Sequence, residues 1–292
     1  VEVGEERVLT GYVDELIPDY DATSHTIVAN CRSKTADLVD CSSQDKRFKN
    51  RTLKRIAQDL AKPYGIEVVD EAGASDPIRE FAVEDGQPLA EALEKAAQTR
   101  GARILSDAQG RLVIANAVRR KVATPLELGK NIRKGRGNFS MRDRFRHYIV
   151  VGQTQGTDNW FGKQASAPKG EATDPRVRKP RTYVIVSDTP VNPSECRKRA
   201  EYESRLRWAQ GRGVTYTVGG WRHEQGVWRP GDLVRVIDGY LDLDSRMLVS
   251  DVQLIENSDD GRVAELRVSP PEAFEQKPVP EPEAETQGVL GW

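Results

Sequence analysis

The side chains best suited to chemistry are few and scattered. Cysteines stand at 31, 41 and 196 and histidines at 25, 147 and 223. A structural zinc site needs four ligands, usually in close pairs such as C-x-x-C or H-x-x-x-H, and the chain has no such pair. Cys31 is in phase with Ile27 and Ala29 in the alternating run "HTIVANCRS", which predicts a shared, buried apolar face. Cys41 after Leu38, and Cys196 before Ala200, have spacings that gather apolar residues on one side of a helix. All three thiols read as small core residues, unpaired and metal-free, in a protein made in a reducing compartment.

Asp14 with Glu15, and Asp242 with Asp244, are the carboxylate pairs that glycoside hydrolysis would need. Neighbouring strand residues point to opposite faces, and the second pair falls in a turn. No nucleophile, base and orienting group assemble from these motifs, so no catalytic, cofactor or metal residue is assigned. A glycan hydrolase is the weakest of the functional readings.

Charge is concentrated in one segment. Arg119, Arg120, Lys121, Lys130, Arg133, Lys134, Arg136, Arg142, Arg144 and Arg146 face only Glu127 and Asp143, with Phe139, Phe145 and Tyr148 interleaved. That mixture suits a single-strand surface and makes nucleic-acid binding through 119–146 the alternative function. The whole chain balances 44 basic against 45 acidic residues, so no global field draws nucleic acid or an anionic membrane. Arg133, Lys134 and Arg136 are therefore read first as contacts to an acidic protein neighbour. Trp160 and Phe161 sit in a polar stretch as candidate partner anchors, whereas Trp221 and Trp228 in "GGWRHEQGVW" read as packing residues.

The elements that must position these groups are mostly strands. Residue 1 opens inside the strand-like "VEV", which suggests an absent N-terminal portion, and short strands with turn-rich separators run to about residue 47. Helical spacing of Leu53, Ile56, Ala57 and Leu60, with Asn50 as cap and Pro63 and Gly65 as stop, predicts a helix. Leu89, Ala92, Leu93 and Ala96 predict another, with Pro88 in its first turn and Gly101 ending it. "ARILSDAQGRLVIA" is a hairpin, so 48–118 reads as an α/β insertion. Residues 153–181 read as a long loop. A β-α-β block follows over 182–222, its helix opened by Asn192, Pro193 and Glu195 in a capping box. From Leu233 the layout of the first strands returns, with Val13 set on Val252, Asp21 on Asp260, Ile27 on Leu266 and Ala29 on Val268. Two similar β domains follow from it: 1–47, and 119–152 with 228–276, the latter interrupted by 153–227. The apolar runs "YIVV" and "YVIV" are far shorter than the ~20 residues of a membrane helix.

"LTGYVDELIPDYDATSHTI", "CRSKTADLVDCS", "TLKRIAQDLAKPYGI", "GVWRPGDLVRV" and "LRVSPPEAF" resemble the baseplate hub proteins of contractile-tailed bacteriophages, the Mu-like tail protein P and late control protein family. The resemblance implies an α+β, mainly β fold: two tube-type β-barrels per chain, each with a small α/β insertion, and three chains in a ring. It implies a structural, non-enzymatic virion protein of the tail baseplate, assembled in the host cytoplasm. Its partners would be two further copies, the spike, and tube and baseplate proteins, with DNA only in transit and no membrane insertion. The closing segment 277–292, "KPVPEPEAETQGVLGW", reads as an extended tail, with Leu290 and Trp292 as a candidate docking tip.

Overall fold

The computed structural model describes residues 1–153, 168–190 and 192–276. They fall into two units, residues 1–117 and 118–275. Trp160, Phe161, Leu290 and Trp292 lie outside the described residues.

In the first unit β1 (Glu2–Val3) pairs with β2 (Glu6–Arg7), and β3 (Gly11–Tyr20) with β4 (His25–Ser33) in a long antiparallel hairpin. The chain then passes through α1 (Asp37–Asp40) into an α/β body. This comprises β5 (Lys46–Thr52), α2 (Leu53–Ala61), β6 (Val68–Asp70), β7 (Pro77–Val83), α3 (Leu89–Gln98), β8 (Arg103–Ser106) and β9 (Leu112–Ala115). β5 pairs with β7, and β6, β9 and β8 form a sheet in that order.

The helical stripes anticipated from spacing are the packing faces of this body. Leu53, Ile56, Ala57 and Leu60 of α2 and Leu89, Ala92, Leu93 and Ala96 of α3 share one core with Leu38, Ile66 and Ile114, and half-buried Cys41 packs against it. Each buried Leu- or Ile-sized side chain contributes about 1.5–3 kcal/mol, which makes this stripe the main adhesive of the body. Gly65 ends the turn after α2 with φ of +61°, a conformation that favours glycine. The helix start differs from expectation. Thr52, not Asn50, accepts the Arg55 N–H at 3.3 Å, because Asn50 is still inside β5, with φ of +50°.

The second unit runs through β10 (Arg120–Lys121), β11 (Leu126–Glu127), β12 (Ile132–Phe139), β13 (His147–Gln153), β14 (Lys169–Thr173), β15 (Thr182–Pro190) and α4 (Pro193–Gln210). It continues with β16 (Arg212–Gly219), β17 (Arg222–His223), β18 (Gly226–Val227), β19 (Asp232–Asp238), β20 (Leu243–Asn257) and β21 (Gly261–Ser269). The main sheet has the order β10-β19-β20-β21-β16-β12, with β11 also on β19. Alternation places Val214, Tyr216 and Val218 of β16 opposite Val268, Leu266 and Ala264 of β21. These join Val234, Val236, Met247, Val249 and Trp228 in one core. Trp221 donates from Nε1 to the Ile255 carbonyl at 2.9 Å, so both tryptophans are packing residues. The sheet is not a closed barrel: β12 meets the strand leaving β11 only at an isolated Leu128–Ile132 bridge.

α4 opens with the expected box. The Asn192 side chain accepts the Glu195 N–H at 3.0 Å, and the Glu195 carboxylate accepts the Asn192 N–H at 2.8 Å. Cys196 and Ala200 pack on Tyr148 and Val150 of β13. Two expectations are corrected. The strands flanking α4 do not form one β-α-β block: β15 pairs parallel with β13, while β16 joins β21, whose inner face matches its alternation. The stretch expected as a loop also contains β14, paired with β13. Gly170 makes this strand possible, since a Cβ there would lie 2.0 Å from the α4 backbone at Arg197.

Candidate functional site

Among the described residues, exposed large apolar side chains gather on the β3–β4 hairpin. Its register puts Val13 opposite Cys31, Leu16 opposite Ala29, Pro18 opposite Ile27 and Tyr20 opposite His25, all on one face by strand alternation. Leu16 is 62% and Ile27 74% exposed, and Tyr20 stacks on His25. Cys31 is exposed, which corrects the expectation of burial: the alternation is right, but no layer of its own unit covers the face among the described residues. Among the described residues no cluster of three or more His, Cys, Asp or Glu could hold a metal ion, and the three thiols are free.

The opposite face mixes exposed Tyr12, Ile17 and Val28 with a polar cluster. A bulge shifts the register between Val13 and Glu15, so Asp14 and Glu15 both lie beside Asn30 and Arg32. Asn30 donates to Glu15 at 2.7 Å, and Arg32 lies 3.7 Å from Asp14 and donates to Asp40 at 2.6 Å. The Arg32 hydrogen bond holds the Asp40 carboxyl below its usual range. The two carboxylates thus share a face, contrary to the simple alternation argument, and are tied to structural partners. Asp244 is likewise held by Arg235 through two contacts of 2.9 Å.

β20–β21 repeats this hairpin in detail. It carries the same bulge, between Val249 and Asp251, and matching the bulges sets Val13 on Val249, Leu16 on Val252, Pro18 on Leu254 and Asp21 on Asn257. On the second strand Ile27, Ala29 and Cys31 fall on Ala264, Leu266 and Val268. The turns match too. Asp21 Oδ1 accepts the Thr23 and Ser24 N–H groups at 2.6 and 2.8 Å, and Asn257 Oδ1 accepts those of Asp259 and Asp260 at 3.1 and 2.6 Å. The hydrogen bond from the Thr23 N–H, aided by the Thr23 hydroxyl and the Ser24 N–H, holds the Asp21 carboxyl below its usual range. The repeat inferred from sequence is therefore present but differently aligned, shifted by three residues on the first strand and two on the second.

The basic segment is largely engaged within its own unit. Arg120 grips Asp232 with two contacts of 2.8 Å, Arg144 forms a buried pair with Asp174 at 2.5 Å, and Arg146 donates to the Pro175 and Val177 carbonyls. Arg133 donates to the Asp260 carbonyl at 2.9 Å. Lys134 and Arg136 stay exposed on β12, on the face opposite Gly135 and Gly137. A Cβ at Gly135 would press on the Tyr216 ring at 3.0 Å, which explains the glycines around Arg136. The aromatics are also taken up. Phe145 stacks on Tyr183 at 4.9 Å under Arg181 and Arg207, and Arg212 lies over Phe139. The pattern that resembled a base-stacking surface is a set of internal cation–π contacts.

Comparison with known proteins fits this architecture. Residues 35–116 match the family model described as baseplate hub protein gp44-like, second domain, and 192–277 the fourth domain of Mu phage baseplate assembly protein GpP. Over 286 residues the chain is 33% identical to baseplate hub protein gp44 of Escherichia phage Mu, spanning 94% of this chain and 75% of that one. The chain belongs to the phage baseplate hub protein family. The 43 kDa tail protein of prophage MuSo2 from Shewanella oneidensis superposes with a TM-score of 0.81 at 35% identity, covering 94% of this chain and 82% of that one. A tail protein from Neisseria meningitidis MC58 shares the fold with a TM-score of 0.74 at 24% identity, covering 91% and 81%. As a hub protein the chain is a structural component of the virion tail. No helix among the described residues is long and apolar enough to cross a membrane.

Proposed function

We propose that this hub protein is a homotrimer that joins the tail tube to the central spike around a channel for DNA. In this reading each chain contributes two tube-type β domains, neither of them a closed barrel among the described residues, so three chains match a sixfold tube above to a threefold spike below. The observation that carries this reading is the duplicated hairpin, with its shared bulge and turn, in a chain 33% identical to a baseplate hub protein. Exposed Lys134 and Arg136 on the edge strand β12, together with Trp160, Phe161, Leu290 and Trp292, are the contacts offered to tube, spike and baseplate neighbours. DNA is a passenger, so affinity for random DNA near physiological salt is no tighter than the ~10⁻⁴–10⁻⁶ M of non-specific binding. Light scattering on a sizing column tests the assembly. Three times the 32.6 kDa chain mass is expected, and a monomer at micromolar concentration would count against the hub ring.

A further inference from the structure

The two units differ in charge. Residues 1–117 carry 15 basic and 21 acidic side chains, whereas residues 118–275 carry 28 and 21. Part of the basic excess is set on one turn, between β14 and β15. Asp174 is neutralised there by buried Arg144, and its N–H bonds the Arg146 carbonyl at 2.9 Å. Arg146 donates in turn to the Pro175 and Val177 carbonyls, and Val177 is buried. The Arg181 carbonyl accepts the Arg146 and His147 N–H groups at 2.7 and 2.9 Å. The turn is thus pinned at both ends, while Arg176, Arg178 and Lys179 stand exposed on it.

This turn leads into β15, whose outer face is open. Tyr183 and Ile185 pack with Tyr148, Val150 and Cys196 on the α4 side, so alternation turns Val184 and Val186 the other way. They are 55% and 60% exposed and lie opposite Ile149 and Val151 of β13. An apolar patch beside a polar rim is the anatomy of a protein interface. We propose that this outer face of β14-β13-β15, with its basic turn, docks the acidic α/β body of the first unit of a second copy of the chain.

Charge selects that occupant. From Glu67 to Glu94 the body has nine acidic residues against Arg79 alone, and Glu71, Asp76, Glu84, Asp85 and Glu94 are exposed. Opposite charges favour this contact and oppose like-with-like pairing of turn on turn or body on body. A patch that meets a different patch is heterologous, the type of contact that closes rings of more than two copies. Single-stranded nucleic acid would need open aromatic faces, but Phe145 and Tyr183 are stacked on each other beneath Arg181 and Arg207. The inference rests on the ring reading and names the surfaces that close it.

Carbodiimide coupling, which joins a lysine amine directly to a carboxylate, tests it on the full chain. Coupled chains are separated by size under denaturing conditions, and their joined peptides are read by mass spectrometry. We expect Lys179 joined to carboxylates of residues 67–94 in the two-chain band, at least about tenfold enriched over the one-chain band. Such joins confined to the one-chain band, or none from Lys179 to that segment, would overturn the proposal. Arg178→Glu with Lys179→Glu should weaken assembly at least about tenfold in a dilution series followed by light scattering, since like charges would then face each other. Unchanged assembly would overturn it; should the double variant fail to fold, the wild-type coupling alone decides. A ring of another size with this coupling would sink the trimer and spare the inference, and a trimer without it would do the reverse. A monomer at every concentration would overturn both.

Discussion

In β20–β21 the face holding Val249, Leu266 and Val268 meets β16, β19 and Trp228, while in β3–β4 the matching Val13, Ala29 and Cys31 meet solvent. Both hairpins have one apolar face and one mixed face, and both turn on an Asx side chain. Strand alternation determines which face is apolar; what covers it depends on residues far away in sequence. The same local code thus gives a core in one unit and an open surface in the other.

The largest test of this contrast is to remove matched bulk. Leu266→Ala should destabilise the second unit by about 2–5 kcal/mol, the usual cost of a buried leucine, whereas Leu16→Ala in residues 1–292 should stay within ~0.5 kcal/mol, as exposed substitutions do. Chemical denaturation with separate probes of each unit measures both. Equal costs would mean that the first hairpin is already covered.

A smaller effect probes the covering strand. Tyr216 of β16 donates its hydroxyl to Asp238 Oδ2 at 2.9 Å, and Asp238 Oδ1 also accepts the Tyr240 and Leu241 N–H groups. Burial, reinforced by Asp238, pushes the Tyr216 phenol well above its usual value. Tyr216→Phe should cost about 1.5–3 kcal/mol, the range for a hydrogen bond to a charged group. The loss should appear as faster amide exchange in β16 and β21 and leave β3–β4 unchanged.

The parts of the fold legible in the sequence were those encoded locally. The box at Asn192 and Glu195 closes over three residues, and the stripes of α2 and α3 need only helical spacing. Cys31 failed because burial is set by a neighbouring layer, and Asn50 failed because β5 continued past it. β14 was missed because "KGEAT" is not an alternating apolar run and its place depends on Gly170 fitting against α4. The hairpin register had a readable signal. Val13 to Leu16 and Val249 to Val252 are apolar pairs three apart in otherwise alternating strands, the spacing a one-residue bulge requires. A single constant offset hid the match, because the second turn is one residue longer. In the basic segment, composition could not show that Arg120, Arg144 and Arg146 find partners more than 25 positions away.

The finest test separates the two turns by pH. Asp21 and Asn257 occupy matched positions and accept the same kind of backbone N–H bonds, but only Asp21 can lose its acceptor strength by protonation. Its folded pKa is lowered from 3.8 by those bonds, so whatever stability it gives the turn is fully present above the unfolded value of about 3.9. That contribution is lost as pH falls through the lower, folded value. The Ser24 amide proton, followed by NMR, should therefore titrate with a midpoint below 3.8, and Asp21→Asn should abolish the step while keeping the turn. Asn257→Asp should create a similar step at Asp260, beyond the effect of that residue's own carboxyl. A Ser24 midpoint at or above the ordinary carboxylate value would mean that the Asp21 bonds are not maintained in solution. The two turns would then share a sequence position without sharing the interaction that makes them equivalent.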